Sequence, residues 1–198
     1  MNGSDVPVTR EELHLRQIEM RGWRRSDGLY EVEGRVIDRK PQDFSHPSKG
    51  KTVPAHAPIH DMGVRIVFDE HLQVHDVVTF TTSAPYAACP DGGQALRSLK
   101  GLSMTGGWGR EVRNRLRGAR SCTHLMELLS PLATTAFQAL GGLRVHEPDQ
   151  LDTNNRPVRI DSCYAYAATG ELVRRRWPQF HLHLESPGRL SPEAEGSS

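Results

Sequence analysis

Residues 13–39 read LHLRQIEMRGWRRSDGLYEVEGRVIDR and contain two strand-like segments on either side of a turn signal. The segments span residues 13–25 and 29–39, and Ser26-Asp27-Gly28 joins them. Glycine supplies the positive φ that a tight hairpin turn requires. An alternating pattern in the second segment places three residues on its inward face: Tyr30, Val32 and Val36. The stretch therefore predicts an antiparallel hairpin.

A second hairpin is predicted downstream, over residues 62–82. Apolar residues alternate from Met62 to Phe68, Asp69-Glu70-His71 provides the turn, and residues 74–82 form the return strand. Between the two hairpins, residues 41–57 are rich in proline, serine and histidine and have no period. That composition predicts an exposed loop.

The second half of the chain changes from alternating to helical spacing. Short helices are predicted around residues 96–99 and over 110–117, and the clearest helical region spans residues 121–140. Its apolar stripe has six members: Leu125, Leu128, Leu129, Leu132, Ala136 and Leu140. Ser130-Pro131 interrupts this region and either kinks the helix or restarts a second one. Residues 158–177 predict a last hairpin.

These elements predict an α+β fold, in which an antiparallel sheet of about four to six strands packs against a helical layer from the C-terminal half. A chain of 198 residues is long enough for one domain with its own core. We expect a single α+β domain over residues 13–184, with a disordered start at residues 1–12 and a disordered polar tail at residues 185–198.

The composition excludes several classes of protein. A formal net charge of +1 argues against a general nucleic-acid-binding protein. No stretch approaches the roughly 18 consecutive apolar residues of a membrane span, and the N-terminus lacks the basic and apolar regions of a secretory signal. Three cysteines without an export signal predict reduced thiols. We expect a cytoplasmic protein that binds neither nucleic acid nor a membrane, with a homo-oligomer as a possible assembly.

The most reactive stretch, Ser121-Cys122-Thr123-His124, opens the strongest predicted helix. Unpaired backbone N–H groups and the helix dipole favour an anion at this position and lower a thiol pKa, so Cys122 is a candidate thiolate. Glu127 follows His124 by three residues and lies beside it on the helix, which allows a metal pair or a histidine–carboxylate contact. The alternative is that Cys122 is a small structural residue.

Arginines precede this stretch and predict a binding site for an acidic substrate. Arg110, Arg113 and Arg120 are the candidates for binding its carboxylate or phosphate group. A solvated arginine face is the alternative interpretation.

Two further segments supply possible metal ligands. His60-Asp61 precedes a predicted strand, and Cys89 follows the second hairpin. We predict a zinc or iron site whose four ligands are Asp61, Cys89, Cys122 and His124. His60 or Glu127 would be the general base or acid. Alternatively, His60-Asp61 caps a strand and Cys89 belongs to the core.

Four separated motifs resemble a bacterial domain-of-unknown-function family. They are Trp23-Arg24-Arg25-Ser26-Asp27-Gly28-Leu29-Tyr30-Glu31-Val32-Glu33-Gly34, His60-Asp61-Met62, Ala84-Pro85-Tyr86 with Cys89, and Cys122-Thr123-His124-Leu125. The likeness covers residues 14–180. It implies a bacterial cytoplasmic protein with a role in the catabolism of aromatic or acyl compounds.

The order of these residues is also similar to that in U-type iron–sulfur scaffold proteins. Asp61, Cys89 and the pair Cys122 and His124 follow one another as ligands do in that family, over residues 58–140. The chain departs from the pattern by placing His60 beside Asp61, where the family has a cysteine two residues before its aspartate. The likeness implies a metal or iron–sulfur carrier.

Three functions remain open from the sequence. The favoured hypothesis is a metal-dependent hydrolase or lyase acting on a small acidic or acyl or aromatic substrate. The second is a non-catalytic metal or iron–sulfur carrier, in which the same ligands close the coordination shell. The third is metal-free catalysis by Cys122 with His124 as base. It ranks last because one residue separates the two in sequence, a spacing that makes a good thiol–imidazole contact difficult.

Overall fold

The computed structural model describes residues 7–45, 52–144 and 147–183. The chain divides into two compact units, Met1–Val145 and His146–Ser198. The single domain expected over residues 13–184 stays a prediction. Of the predicted disordered ends, residues 1–6 and 185–198 lie outside the described residues, and residues 7–12 form no helix or strand.

Among the described residues of the first unit, six strands form two antiparallel sheets. They are β1 Leu15–Arg24, β2 Tyr30–Arg39, β3 Phe44–Ser45, β4 Thr52–Val53, β5 Pro58–Phe68 and β6 Val74–Ser83. The main sheet has four strands in the order β1-β2-β5-β6, and β3 pairs with β4 in a separate small sheet. Both predicted hairpins and the antiparallel sheet are thus confirmed. The loop predicted over residues 41–57 contains β3 and β4, although residues 46–51 lie outside the described part of the chain.

The hairpins form where the sequence provides a turn and an alternating apolar face. Gly28 adopts a φ of 85° in the first turn, as its position between β1 and β2 requires. On the inward face, Val32 and Val36 of β2 are buried together with the alternating residues of β5. Those residues of β5 are Met62, Val64, Ile66 and Phe68.

Three α-helices are present in the described residues: α1 Trp108–Leu116, α2 Thr123–Gly141 and α3 Glu171–Arg176. Short 3₁₀ helices span Cys89–Leu99, Gly118–Arg120, Tyr164–Tyr166 and Pro178–Phe180. The α+β class is therefore confirmed. None of the helices in these described ranges is long and apolar enough to span a membrane.

Helix α2 covers the inward face of the main sheet with its predicted apolar stripe, all six members of which are buried. The helix continues through Pro131, so of the two alternatives, a kink or a restarted second helix, the restart does not occur. Pro131 has no N–H to donate to Glu127 O. In the next turn, two hydroxyl groups bond to backbone carbonyls: Thr134 donates to Ser130 O at 3.3 Å and Thr135 donates to Pro131 O at 2.9 Å.

Close packing of α2 on the sheet depends on Gly34 in β2. A Cβ atom at this position would lie 2.8 Å from Met20 Sδ and 3.2 Å from Leu132 Cγ, which is a residue of α2. The absence of a side chain thus allows the helix to approach β2.

The second unit corrects the last predicted hairpin. Residues 158–177 contain a 3₁₀ helix and α3 rather than two strands. The charges of α3 suit a helix, because Glu171 occupies its first turn and accepts hydrogen bonds from Arg174. A small core of this unit consists of Ile160, Ala168, Val173 and Trp177.

Candidate metal centre

A row of polar residues crosses one end of the main sheet on the face that α2 covers. The strand registers place Arg16 of β1 opposite Asp38 of β2, and Asp38 opposite His60 of β5. His124 in the first turn of α2 stacks on His60, with 4.0 Å between the ring centroids. Two strands and one helix therefore bring Asp38, His60 and His124 together, and one ligand atom from each lies within 4.8 Å of the others.

Asp38 is a buried carboxylate that its neighbours keep ionised. The residue is 1% exposed. Arg16 binds it through both oxygens, at 2.8 Å from Nε to Oδ1 and 2.9 Å from Nη2 to Oδ2, and His14 Nε2 lies 3.1 Å from Oδ1. Burial by itself raises the pKa of Asp38, but the hydrogen bonds from Arg16 and His14 outweigh this effect and lower the pKa to about 2.

His60 presents a buried ring nitrogen without a hydrogen-bond partner among the described residues. Its Nδ1 lies 3.0 Å from Asp38 Oδ2, yet the two atoms are not aligned for a hydrogen bond. Burial and the proximity of His124 lower the pKa of His60 more than the charge of Asp38 raises it. This direction favours the neutral imidazole, which has a lone pair available for a ligand.

His124 completes a donor set whose spacing fits a metal ion. Its Nε2 lies 3.7 Å from Asp38 Oδ2. Metal–ligand bonds of about 2.0–2.1 Å at tetrahedral angles place neighbouring donor atoms roughly 3.4 Å apart. The separations of 3.0 Å and 3.7 Å from Asp38 Oδ2 lie on either side of that value. The unpartnered Nδ1 of His60 and the ionised Asp38 fit an ion at this point.

His60 and His124 line a cavity of about 640 Å³ between the end of the sheet and the start of α2, whereas Asp38 is buried beside them. The cavity walls contain four of the side chains that the sequence singled out, together with His60: Cys89, Arg120, Cys122 and His124. Cys122 is the N-cap residue of α2, and its N–H donates to Gly92 O at 3.1 Å. A Cβ atom at residue 92 would lie 2.9 Å from Cys122 N, so glycine permits this contact.

Asp61 does not join this cluster, although the sequence analysis predicted it as a ligand. It accepts hydrogen bonds from Arg35 Nε at 2.7 Å and Nη2 at 2.6 Å and is 5% exposed. The physical reason is strand geometry: β5 already begins at Pro58, so His60 and Asp61 are neighbours within a strand and their side chains point to opposite faces. The arrangement favours Asp38 as the carboxylate ligand.

Other predicted residues also lie apart from the cavity. Glu127 accepts a hydrogen bond from Arg16 Nη1 at 2.8 Å, and together with Arg113 it lines a different cavity of about 200 Å³. The side chain of Arg110 is 71% exposed and lies 3.7 Å from Glu111. Arg120 is thus the one predicted substrate-binding arginine at the main cavity. The role of Glu127 as an acid or base stays a prediction.

Sequence reasoning missed Asp38 and Arg16. The signal for Asp38 was present, because the alternation that places Val32 and Val36 inward also places Asp38 inward. A charged residue at an inward strand position is rarely buried unless it is paired or binds a metal. Arg16 lies 22 residues before Asp38 in the sequence, so only the register between β1 and β2 identifies the two as partners.

Comparison with known proteins gives one match. A family model described as "Protein of unknown function (DUF2889)" matches residues 14–138, a range that contains the main sheet, Asp38, His60 and His124. The match confirms the resemblance to a domain-of-unknown-function family, whereas the likeness to iron–sulfur scaffold proteins stays a prediction. No curated protein and no solved structure matches the chain.

Proposed function

We propose that this chain, which belongs to the DUF2889 family of proteins of unknown function, is a metal-dependent hydrolase or lyase acting on a small acidic substrate. The observation that carries the proposal is the cluster of Asp38, His60 and His124, two members of which, His60 and His124, line a cavity. Two imidazoles and one carboxylate are the protein ligands of many mononuclear zinc and non-haem iron sites. We therefore propose zinc or iron as the metal.

The protonation states of the cluster support this assignment. A metal requires an ionised carboxylate and neutral imidazoles. Asp38 is ionised because the hydrogen bonds from Arg16 and His14 lower its pKa to about 2, against the opposing effect of burial. Burial lowers the pKa of His60 and favours its neutral form. A bound ion would also satisfy the buried Nδ1 of His60.

Catalysis is favoured over metal storage because three protein ligands leave coordination positions open. A metal with an open position polarises a carbonyl group or activates a water molecule. The adjoining cavity of about 640 Å³ falls within the range of roughly 300–1,000 Å³ that is usual for small-molecule sites. A carrier would close the shell with a fourth protein ligand.

The cavity walls support a substrate that has an acidic group on an apolar body. Arg120 lies at the cavity, and its guanidinium donates to Asn114 O at 2.9 Å while forming no ion pair with any described residue. It is therefore available for a substrate carboxylate. The apolar body, an acyl chain or an aromatic ring, would contact Pro85, Tyr86 and Ala119.

The second candidate function is metal-free catalysis by Cys122, with His124 as the base. Cys122 Sγ lies 3.9 Å from His124 Nδ1, and His124 Nε2 lies 3.7 Å from Asp38 Oδ2. A thiol, an imidazole and a carboxylate in this order form the nucleophile–base–orienting group of cysteine-dependent enzymes. Metal-free catalysis by Cys122 would need His124 and Asp38 but not His60.

Calorimetric titration with Zn²⁺, and with Fe²⁺ under anaerobic conditions, tests the proposal. We expect one ion per chain for the wild type, and an affinity loss of more than about 100-fold for His60→Ala and for His124→Ala. His71→Ala is the matched control, because the side chain of His71 is 78% exposed and lies outside the cluster. Unchanged binding in His60→Ala would contradict the proposed site.

The same variants separate the two candidate functions. A panel of aryl and acyl esters and amides that carry a free carboxylate provides the activity assay. Loss of hydrolysis in His60→Ala with retention in Cys122→Ser supports the metal enzyme. The reverse pattern supports the cysteine nucleophile.

A further inference from the structure

We infer that Cys122 is a positioning residue, which holds His124 in the tautomer that binds the metal. The inference rests on the proposed function, and it gives Cys122 a role different from both the ligand and the nucleophile considered above. It follows from the partners of the two ring nitrogens of His124, from the direction of the thiol hydrogen, and from the way the backbone of Cys122 is held.

The two ring nitrogens of His124 face different partners. Nε2 points toward Asp38, 3.7 Å from Oδ2, and belongs to the proposed donor set. Nδ1 lies 3.9 Å from Cys122 Sγ. A neutral imidazole carries one N–H, so the nitrogen that binds a metal must leave the hydrogen on the other. Nδ1–H then requires an acceptor, and within the described part of the chain Cys122 Sγ stands in that position.

The thiol hydrogen of Cys122 has another partner. Cys122 Sγ lies 3.7 Å from Met62 Sδ and donates to it. Because the thiol has a single hydrogen, the sulfur meets His124 as an acceptor and not as a donor. The two contacts therefore agree on one tautomer, with the hydrogen on Nδ1 and the lone pair of Nε2 directed at the metal position.

The backbone around Cys122 is held in place from both sides. Its N–H donates to Gly92 O at 3.1 Å, and its carbonyl accepts the first hydrogen bond of α2 from Met126 N at 3.0 Å. The Cβ of Cys122 would lie 3.1 Å from a Cβ at residue 92, so these two segments are in close contact. Histidine ligands are commonly oriented by a hydrogen bond to the nitrogen that does not bind the metal. Cys122 supplies this contact here.

Titration with Co²⁺ tests the inference on the full chain. We expect Cys122→Ser to bind Co²⁺ within about threefold of the wild type, because a hydroxyl oxygen still accepts from Nδ1–H, and Cys122→Ala to bind about 10- to 100-fold more weakly. Cys163→Ser is the control, since Cys163 is an exposed cysteine of the other unit. The absorption spectrum of the Co²⁺ complex should lack a thiolate-to-cobalt charge-transfer band.

Alkylation provides a second measurement that does not depend on how Cys122→Ala folds. In a Cys89→Ser, Cys163→Ser protein, iodoacetamide can react only with Cys122. Alkylation adds bulk to the sulfur and removes its contact with His124 Nδ1. We therefore expect the Co²⁺ affinity to fall about 10-fold or more, as in Cys122→Ala.

The outcomes distinguish failure of the inference from failure of the proposed function. A wild-type protein that binds no Co²⁺, Zn²⁺ or Fe²⁺ overturns both. Unchanged affinity in Cys122→Ala and in the alkylated protein overturns the positioning role alone. A charge-transfer band that disappears in Cys122→Ser makes Cys122 a ligand and also overturns the positioning role.

Discussion

Neighbouring residues keep Asp38 ionised in the absence of a ligand. Its carboxylate is 1% exposed, and a buried carboxylate without partners would take up a proton. Two hydrogen bonds from Arg16 and one contact with His14 keep it ionised. Arg16 also donates to Glu127 on α2, so a single guanidinium joins the carboxylate of β2 to the helix that carries His124. The donor set is thus oriented by residues that do not belong to it.

The lowered pKa of Asp38 makes the stability of the metal-free protein depend on pH. A carboxylate whose folded pKa lies below its unfolded value stabilises the fold above the unfolded pKa, and this contribution is lost as the pH falls through the folded pKa. For Asp38 these values are 3.8 and about 2. The stabilisation is therefore roughly 2 kcal/mol at neutral pH and disappears between about pH 4 and pH 2.

Urea unfolding in the presence of a chelator checks this dependence. The difference in free energy of unfolding between wild type and Asp38→Asn should shrink by roughly 2 kcal/mol between pH 6 and pH 2. Asp76→Asn, at an exposed position of β6, provides the comparison. A difference that stays constant over this range would show that Asp38 is not an ionised buried group.

At the scale of elements, the site depends on how closely α2 lies on β2. Gly34 allows this approach, and replacing it with alanine would place a Cβ 3.2 Å from Leu132 Cγ and 2.8 Å from Met20 Sδ. Leu132 is fully buried and cannot move aside easily. We expect Gly34→Ala to reduce the free energy of unfolding by about 1–3 kcal/mol, measured by urea denaturation.

Gly106→Ala is the matched control for this substitution. A Cβ at residue 106 meets no atom within 4 Å, and the residue does not have a positive φ. Its effect on stability should stay within about 0.5 kcal/mol. Equal effects of the two substitutions would contradict close packing at Gly34.

The elements also show which parts of the structure the sequence could predict. The two hairpins and the stripe of α2 were predictable, because the turn at Gly28 and the spacing of the apolar residues are local features. Residues 158–177 were mispredicted as a hairpin, since short segments such as α3 have too few residues for a clear period.

Two of the three cluster residues, His60 and His124, were singled out from the sequence. His60 and His124 could be selected as reactive residue types, but pairing His60 with Asp38 instead of Asp61 required the register of β2 against β5. The predicted strand began at Met62, whereas β5 begins at Pro58, so His60 and Asp61 both lie within the strand and their side chains point to opposite faces.

At the scale of the whole molecule, the cluster and the family match both belong to one of the two compact units. Asp38, His60, His124 and the cavity lie within residues 1–145. We expect a chain that ends after Arg144 to unfold cooperatively and to bind Zn²⁺ within about threefold of the full chain. A truncated chain that is folded, by circular dichroism, but binds no metal would contradict this assignment.

The metal content of the purified full-length chain tests the central claim most directly. After expression in medium that contains zinc and iron, elemental analysis by mass spectrometry should find about one equivalent of either zinc or iron per chain. The His60→Ala, His124→Ala double variant should retain less than about a tenth of an equivalent, while His71→Ala should match the wild type. A wild-type protein that remains metal-free after reconstitution, or a double variant that keeps its full equivalent, would contradict the proposed centre.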